Sequence, residues 1–162
     1  MRAGPTGQRP TAMHRQPVSP PPLRDNWFHR MRRGEVPPPP VAMLLGEAIV
    51  EVDVQAGTLR AEYLADERFA NPAGGVQGGM LGAMLDALTA GLVDATLQPG
   101  EVVATLSLNL QFPGAARPGP LQGHAWLGKR GREVCFVNAE LSQAGKVVAT
   151  AQAVCKILPA RA

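Results

Sequence analysis

From Glu101 onward, hydrophobic and polar residues alternate. Leu106, Leu108, Leu110 and Phe112 fall on one side, and Thr105, Ser107, Asn109 and Gln111 on the other. That period of two marks a half-buried strand over Glu101–Phe112. Leu121–Gly128 and Arg132–Leu141 continue the pattern, joined by a tight Lys129-Arg130-Gly131 turn. A second hairpin at Ser142–Gly145 leads into Lys146–Ile157. Upstream, Val41–Val54 and Thr58–Leu64 predict two more strands, meeting near Gln55-Ala56-Gly57. Between these blocks the period lengthens. Gly78 opens a helix running to about Leu97, where Pro99-Gly100 stops it. Leu81, Leu85, Leu88 and Leu92 form one stripe of it, with Met80, Met84 and Val93 elsewhere, so it is apolar nearly all round and must be covered on most sides. Strand, strand, long helix and four closely linked strands predict an α+β protein, one antiparallel sheet around one principal helix. A second copy of the unit could cover what the sheet leaves open.

The first residues read differently. Residues 1–23 are rich in Pro, Arg and Gly and lack hydrophobic periodicity, so they predict a disordered tail. Trp27, Phe28 and Met31, within Leu23–Arg33, predict a short amphipathic helix docked on the body. Gly34 ends it and Pro37–Pro40 make an extended polyproline connector. The chain thus divides into a tail (1–23), a helix and connector (24–40) and one domain (41–158). Aromatic residues are only 4% of the 162, which leaves the core to Leu, Val, Ala and Met. The net charge of +3 suggests nucleic acid until it is located. Residues 1–40 hold seven arginines against Asp25 and Glu35, a balance of +5, so the remainder carries −2. The body has no basic face interleaved with aromatics, which argues against nucleic-acid binding. Cys135 and Cys155 sit in strand-like stretches without metal-ligand spacing and are expected as buried thiols, with a disulfide the alternative. No apolar leader is seen at the N-terminus. Asp86, Thr89 and Asp94 interrupt Gly78–Leu97 too often for a membrane span. A cytoplasmic protein without a membrane partner is expected.

Asp86 is out of place in such a helix, because Leu85 and Ala87 flank it and Gly82, Ala83 and Ala90 share its face. A carboxylate there is solvated on a minor exposed strip, paired with a buried arginine, or used in chemistry. The small residues around it leave space for a ligand. At the helix start, Gly74, Gly75, Gly78 and Gly79 crowd the point where free N–H groups and the positive dipole end face outward. The Gly78 N–H could there receive a substrate oxyanion, although tight turns use glycine as well.

These residues carry a resemblance. Asn71-Pro72-Ala73-Gly74-Gly75-Val76-Gln77-Gly78-Gly79, followed by Met84-Leu85-Asp86, resembles the signature of PaaI-like hotdog acyl-CoA thioesterases: Asn, a short loop, His-Gly-Gly, then Asp in the helix. Thr105-Leu106-Ser107-Leu108-Asn109 and Gly145-Lys146-Val147-Val148-Ala149 also look like the family's first strand after the helix and its final hairpin. The resemblance covers about residues 41–158. It implies a hotdog fold, an antiparallel sheet wrapped around one long central helix, and hydrolysis of an acyl-CoA. It implies Asp86 as general base or nucleophile, Gly78 as oxyanion donor, Asn71 as the residue orienting water or thioester, and Thr105 as a hydroxyl assisting the carboxylate. Gly79 and Gly82 line the approach of the substrate. Gln77 stands where many members have His; it can hydrogen-bond but cannot act as acid or base.

Thr105 belongs to the polar face by strict alternation. It is a surface residue unless that face borders a partner subunit or a bulge shifts the register. Gly78 and Asp86 are eight residues apart, about 12 Å along a helix axis, so one thioester carbon cannot touch both. Joint action requires the Asp86 of a second, antiparallel helix, hence a homodimer or a tetramer built from dimers. Lys129, Arg130 and Arg132 form the body's basic cluster, either a solvated turn or a site for coenzyme A phosphates. No metal or cofactor is expected. A hotdog dehydratase would need a histidine at the site, and His14, His29 and His124 lie in the tail or late strands. A non-catalytic acyl-CoA-binding or sensor protein is the other alternative to a thioesterase acting on a small aryl or medium-chain acyl group.

Overall fold

The computed structural model of the chain describes residues 25–160, so the predicted tail lies outside the described residues. Six strands form one antiparallel sheet: β1 (Ala48–Asp53), β2 (Thr58–Ala65), β3 (Glu101–Gln111), β4 (Gly119–Arg130), β5 (Val134–Gln143) and β6 (Lys146–Pro159). Their order across the sheet is β1-β2-β4-β5-β6-β3. Helix α3 (Gly78–Asp94) packs against β2, β3, β4, β5 and β6. The expected sheet around a long central helix is what forms.

The leucine stripe explains the packing. Leu81, Met84, Leu85, Leu88, Leu92 and Val93 are buried on the sheet side with Leu59, Leu121, Val137 and Leu141. Each fully buried leucine contributes about 1.5–3 kcal/mol of transfer free energy. The opposite side of α3 carries Ala83, Asp86, Ala87, Ala90, Gly91 and Asp94, none fully buried. The sheet therefore leaves open a strip of small residues and two carboxylates.

The N-terminal segment departs from expectation in one place. Pro40–Leu45 is a helix, α2, rather than the start of a strand. Pro40 occupies its first turn, where a missing N–H costs nothing. Ala42 and Leu45 bury, and Gly46 closes the helix in the left-handed region with φ 64°. A side chain at Gly46 would meet the Leu64 backbone oxygen at 2.8 Å, which makes glycine obligatory there. The strand begins only at Ala48, and the proline connector ends one residue earlier than expected.

Helix α1 (Trp27–Arg32) docks through Phe28 and His29, both buried, while Trp27 stays 43% exposed. Asn26 caps it by accepting from the His29 N–H at 3.1 Å. The same side chain donates Nδ2 to Asp94 O at 2.8 Å and Leu97 O at 2.9 Å, and His29 Nε2 lies 3.0 Å from Ala95 O. Thus α1 satisfies carbonyls that the end of α3 leaves unpaired, and α3 stops at Asp94 instead of reaching Leu97.

In the later hairpins β4 runs on to Arg130, past a register shift between Leu127 and Lys129. Lys129 and Arg130 are therefore strand residues, and the turn moves to residues 131–133. Cys135 and Cys155 face each other across β5 and β6, buried and unbridged. Burial raises the thiol of Cys155 to about 11.

Candidate active site

Strand β3 decides the position of Thr105. Thr105 pairs with Cys155 but Ser107 pairs with Val154, so Leu106 is an extra residue and β3 bulges there. Beyond the bulge Leu108 and Leu110 face the helix, and before it Thr105 does, paired with buried Cys155. Leu106 is turned outward and is 60% exposed. Strict alternation would have put Thr105 on the outer face. Instead its hydroxyl donates to Asp86 Oδ1 at 2.9 Å.

Asp86 occupies the open strip of α3, tied to β3 through one carboxylate oxygen. It borders a cavity of about 290 Å3 whose floor is Ala83, Ala87, Ala90 and Gly91 of α3 and whose far end is Asp94. Trp27 and Met31 of α1, Val41 of α2, and Ile49 and Leu59 of the first hairpin wall it. Its size is close to the lower end of ordinary small-molecule pockets. Glu47 also lines it, with Tyr63 Oη 2.6 Å from Glu47 Oε1 and 3.1 Å from Met84 O. A phenol has one proton and cannot donate to both. Burial holds the Glu47 carboxyl above the usual range, against the opposing pull of the Tyr63 hydrogen bond. Burial likewise raises Asp94 from 3.8 to about 7.

The start of α3 is the second part of the site. Gln77 precedes the helix, its side chain exposed and making no cap bond. The N–H groups of Gly78 and Gly79 therefore lack an intrahelical acceptor. Nothing lies within 4 Å of a Cβ placed on Gly79, whereas one on Gly78 would meet the Phe112 ring at 3.3 Å. Asn71 builds the loop that aims this helix end. Its Oδ1 accepts from Ala73 N at 2.9 Å and Gly75 N at 3.2 Å, while Val76 N bonds Ala116 O and Gln77 N bonds Phe69 O, both at 2.8 Å. The Asn71 oxygen is thus spent on the loop. Gly82 does not join the open strip: it is buried, and a Cβ there would lie 2.7 Å from Leu110 Cδ1. Its smallness serves packing against β3.

Lys129, Arg130 and Arg132 do share a cavity, of about 540 Å3, with Thr96 and Gln98 beyond the far end of α3. Arg130 Nε donates to Thr96 Oγ1 at 3.1 Å. His29 is occupied under α3, and His124 stacks near Trp126 on the sheet, so neither borders Asp86. Sequence reasoning missed Glu47, Asp94 and the α1 and α2 wall. The interruption of the apolar helix by Asp94 was the available signal for one of them.

A family model, the acyl-CoA thioesterase N-terminal domain, matches residues 66–156, which include the Asn71 loop, α3 and the bulged strand. The chain belongs to this acyl-CoA thioesterase family. Among its relatives, a Pseudomonas aeruginosa protein provisionally named an esterase is 30% identical over 116 residues, 71% of this chain and 86% of its own. A crystal structure from Ralstonia eutropha JMP134, provisionally a thioesterase and described as phenylacetic acid degradation-related, is 56% identical. It superposes with a TM-score of 0.80 and covers 81% of this chain and 99% of its own. The Escherichia coli PaaI protein of the phenylacetic acid degradation operon shares the fold at 17% identity, with a TM-score of 0.72 over 82% of this chain and 98% of its own. The expected PaaI-like hotdog architecture is thereby established. The walls supplied by α1, α2, β1 and β2 lie outside the matched segment of the thioesterase family.

Proposed function

We propose that the protein hydrolyses an acyl-CoA thioester, with Asp86 as general base. The observation that carries this reading is the Thr105–Asp86 hydrogen bond at the edge of an apolar cavity. Thr105 engages Oδ1, and no hydrogen bond among the described residues engages Oδ2. That oxygen can take a proton from water as the water oxygen attacks the thioester carbon. The carbonyl oxygen gains the negative charge and is met by the Gly78 N–H at a helix start. Collapse of the intermediate breaks the C–S bond and releases coenzyme A as thiolate, which takes up the proton, leaving the free acid.

Within one chain Gly78 and Asp86 remain about 12 Å apart along α3. A homodimer that sets two α3 helices antiparallel brings the donor of one copy to the base of the other, twice by symmetry. The first turns of α3 support such an approach, because nothing lies within 4 Å of a Cβ on Gly79 and Ala83 is small, while Ala87, Ala90 and Gly91 stay free for substrate. Gln77 polarises rather than transfers protons, and Asn71 acts by holding the loop. Lys129, Arg130 and Arg132 are the cations available to coenzyme A phosphates. The cavity's apolar walls suit a small aryl or medium-chain acyl group.

Thiol release measured across an acyl-CoA panel tests this directly. Wild type should release thiol, and Asp86→Asn should lower kcat by about 10²–10⁴-fold with little change in KM. Binding without release in wild type would support an acyl-CoA-binding protein instead. Release that survives Asp86→Asn would remove Asp86 from the mechanism.

A further inference from the structure

The cavity beside Asp86 has a polar far end that hydrolysis does not require. Asp86 and Asp94 lie eight residues apart on α3, about 12 Å along the axis, and both line the same pocket. Between them the floor is Ala87, Ala90 and Gly91, which leave the length of the groove empty of side chains. Apart from Glu47, which is held by Tyr63, its walls are apolar, so the body of any occupant should be hydrocarbon or aryl. Asp94 breaks the pattern. Its backbone carbonyl accepts from Asn26, but no hydrogen bond among the described residues reaches its carboxyl group. The group is only partly buried, so solvent reaches it, and a ligand hydroxyl could take the place of that solvent.

We propose that the acyl group lies along α3 from Asp86 toward Asp94, beneath α1 and α2, and that Asp94 selects acyl groups carrying a hydroxyl near their distal end. This rests on the hydrolase reading for the placement of the thioester at Asp86. A neutral carboxyl both donates to and accepts from a hydroxyl, and burial keeps Asp94 in that form up to about pH 7. An acyl group ending in a methyl would leave the carboxyl unpaired and lose that hydrogen bond. The same burial disfavours a charged tail. Continuity with Asp86 favours the acyl group over a second copy of the chain as the occupant.

The test uses non-hydrolysable thioether analogues of acyl-CoA, octanoyl to dodecanoyl, each with and without an ω-hydroxyl, bound to the full-length protein in a calorimeter. Wild type should bind one length of hydroxylated analogue about tenfold more tightly than its unsubstituted pair, as one net hydrogen bond allows. Asp94→Leu should abolish or reverse that preference, and Asp94→Asn, which keeps a donor and an acceptor, should retain it. Equal binding of the pairs in wild type, or an undiminished preference in Asp94→Leu, overturns the proposal. Thiol release from the corresponding thioesters separates the two readings. A hydroxyl preference in binding without any turnover sinks the hydrolase and leaves Asp94 as the selector. Turnover without a preference does the reverse.

Discussion

At the scale of single residues, the most informative groups are those whose environment contradicts their chemistry. Thr105 is a small hydroxyl whose value depends on one 2.9 Å bond to Asp86. Thr105→Val keeps its shape and removes the bond; thiol release should fall by about tenfold, while Thr105→Ser should keep most of it. Asp94 makes a claim on stability as well as on specificity. Its carboxyl loses a proton near pH 4 in the unfolded chain and near 7 when folded. Between those values the native state binds more protons, so stability falls as pH rises and levels off above 7. Asp94→Asn removes this dependence. Thermal melts at pH 8 should show the variant more stable than wild type, by up to about 4 kcal/mol, with the difference vanishing near pH 4. The raised Glu47 carboxyl is present in both proteins and cancels in the comparison. Ala144 supplies a third case. It sits at φ 49° in the turn between β5 and β6, a left-handed conformation costly for alanine. Ala144→Gly should stabilise the protein by up to about 1 kcal/mol in denaturant melts.

At the scale of elements, the bulge at Leu106 and the docking of α1 organise the site. The bulge breaks strict alternation in β3 and turns Thr105 toward α3 while Leu108 and Leu110 still pack. Nothing in the local pattern of Glu101–Gln111 announces it, because hydrophobic and polar residues alternate through the insertion without a gap. The pairing of Thr105 with Cys155 and Ser107 with Val154 reveals it. Helix α1 shows a similar division. Trp27, Phe28 and Met31 announce a docked helix, but where it docks depends on carbonyls at residues 94, 95 and 97 that only the folded chain exposes. Asn26→Ala should cost about 1–3 kcal/mol by leaving buried carbonyls without a donor. Hydrogen exchange should then report faster opening of α1 and of the last turn of α3, with the central strands unchanged.

For the whole molecule, the question is whether two chains build one site. Gly78 is the first residue of α3, and Gln77 before it has φ −60° and ψ 132°, a conformation compatible with a following proline. Gly78→Pro should therefore delete the N–H while sparing the helix, with the exposed Phe112 ring able to move aside. Alone, Gly78→Pro and Asp86→Asn should each abolish most thiol release. Mixed by refolding together, they should recover about a quarter of wild-type activity, because half the dimers carry one intact site. No recovery in verified mixed dimers would show that both groups act within one chain.

Period and composition, being local properties, were enough to read off the order of elements, the antiparallel sheet, the apolar helix at its centre and the anomaly of Asp86. The same local reading took Val41–Leu45 for strand, where apolar residues in a row fit either element and only the burial of Ala42 and Leu45 chooses. Tertiary structure alone decided that Thr105 faces Asp86, that Gly82 serves Leu110, and that Asp94 ends a pocket. Each depends on which distant segment packs against the residue, a fact set by register and docking rather than by neighbours in the chain.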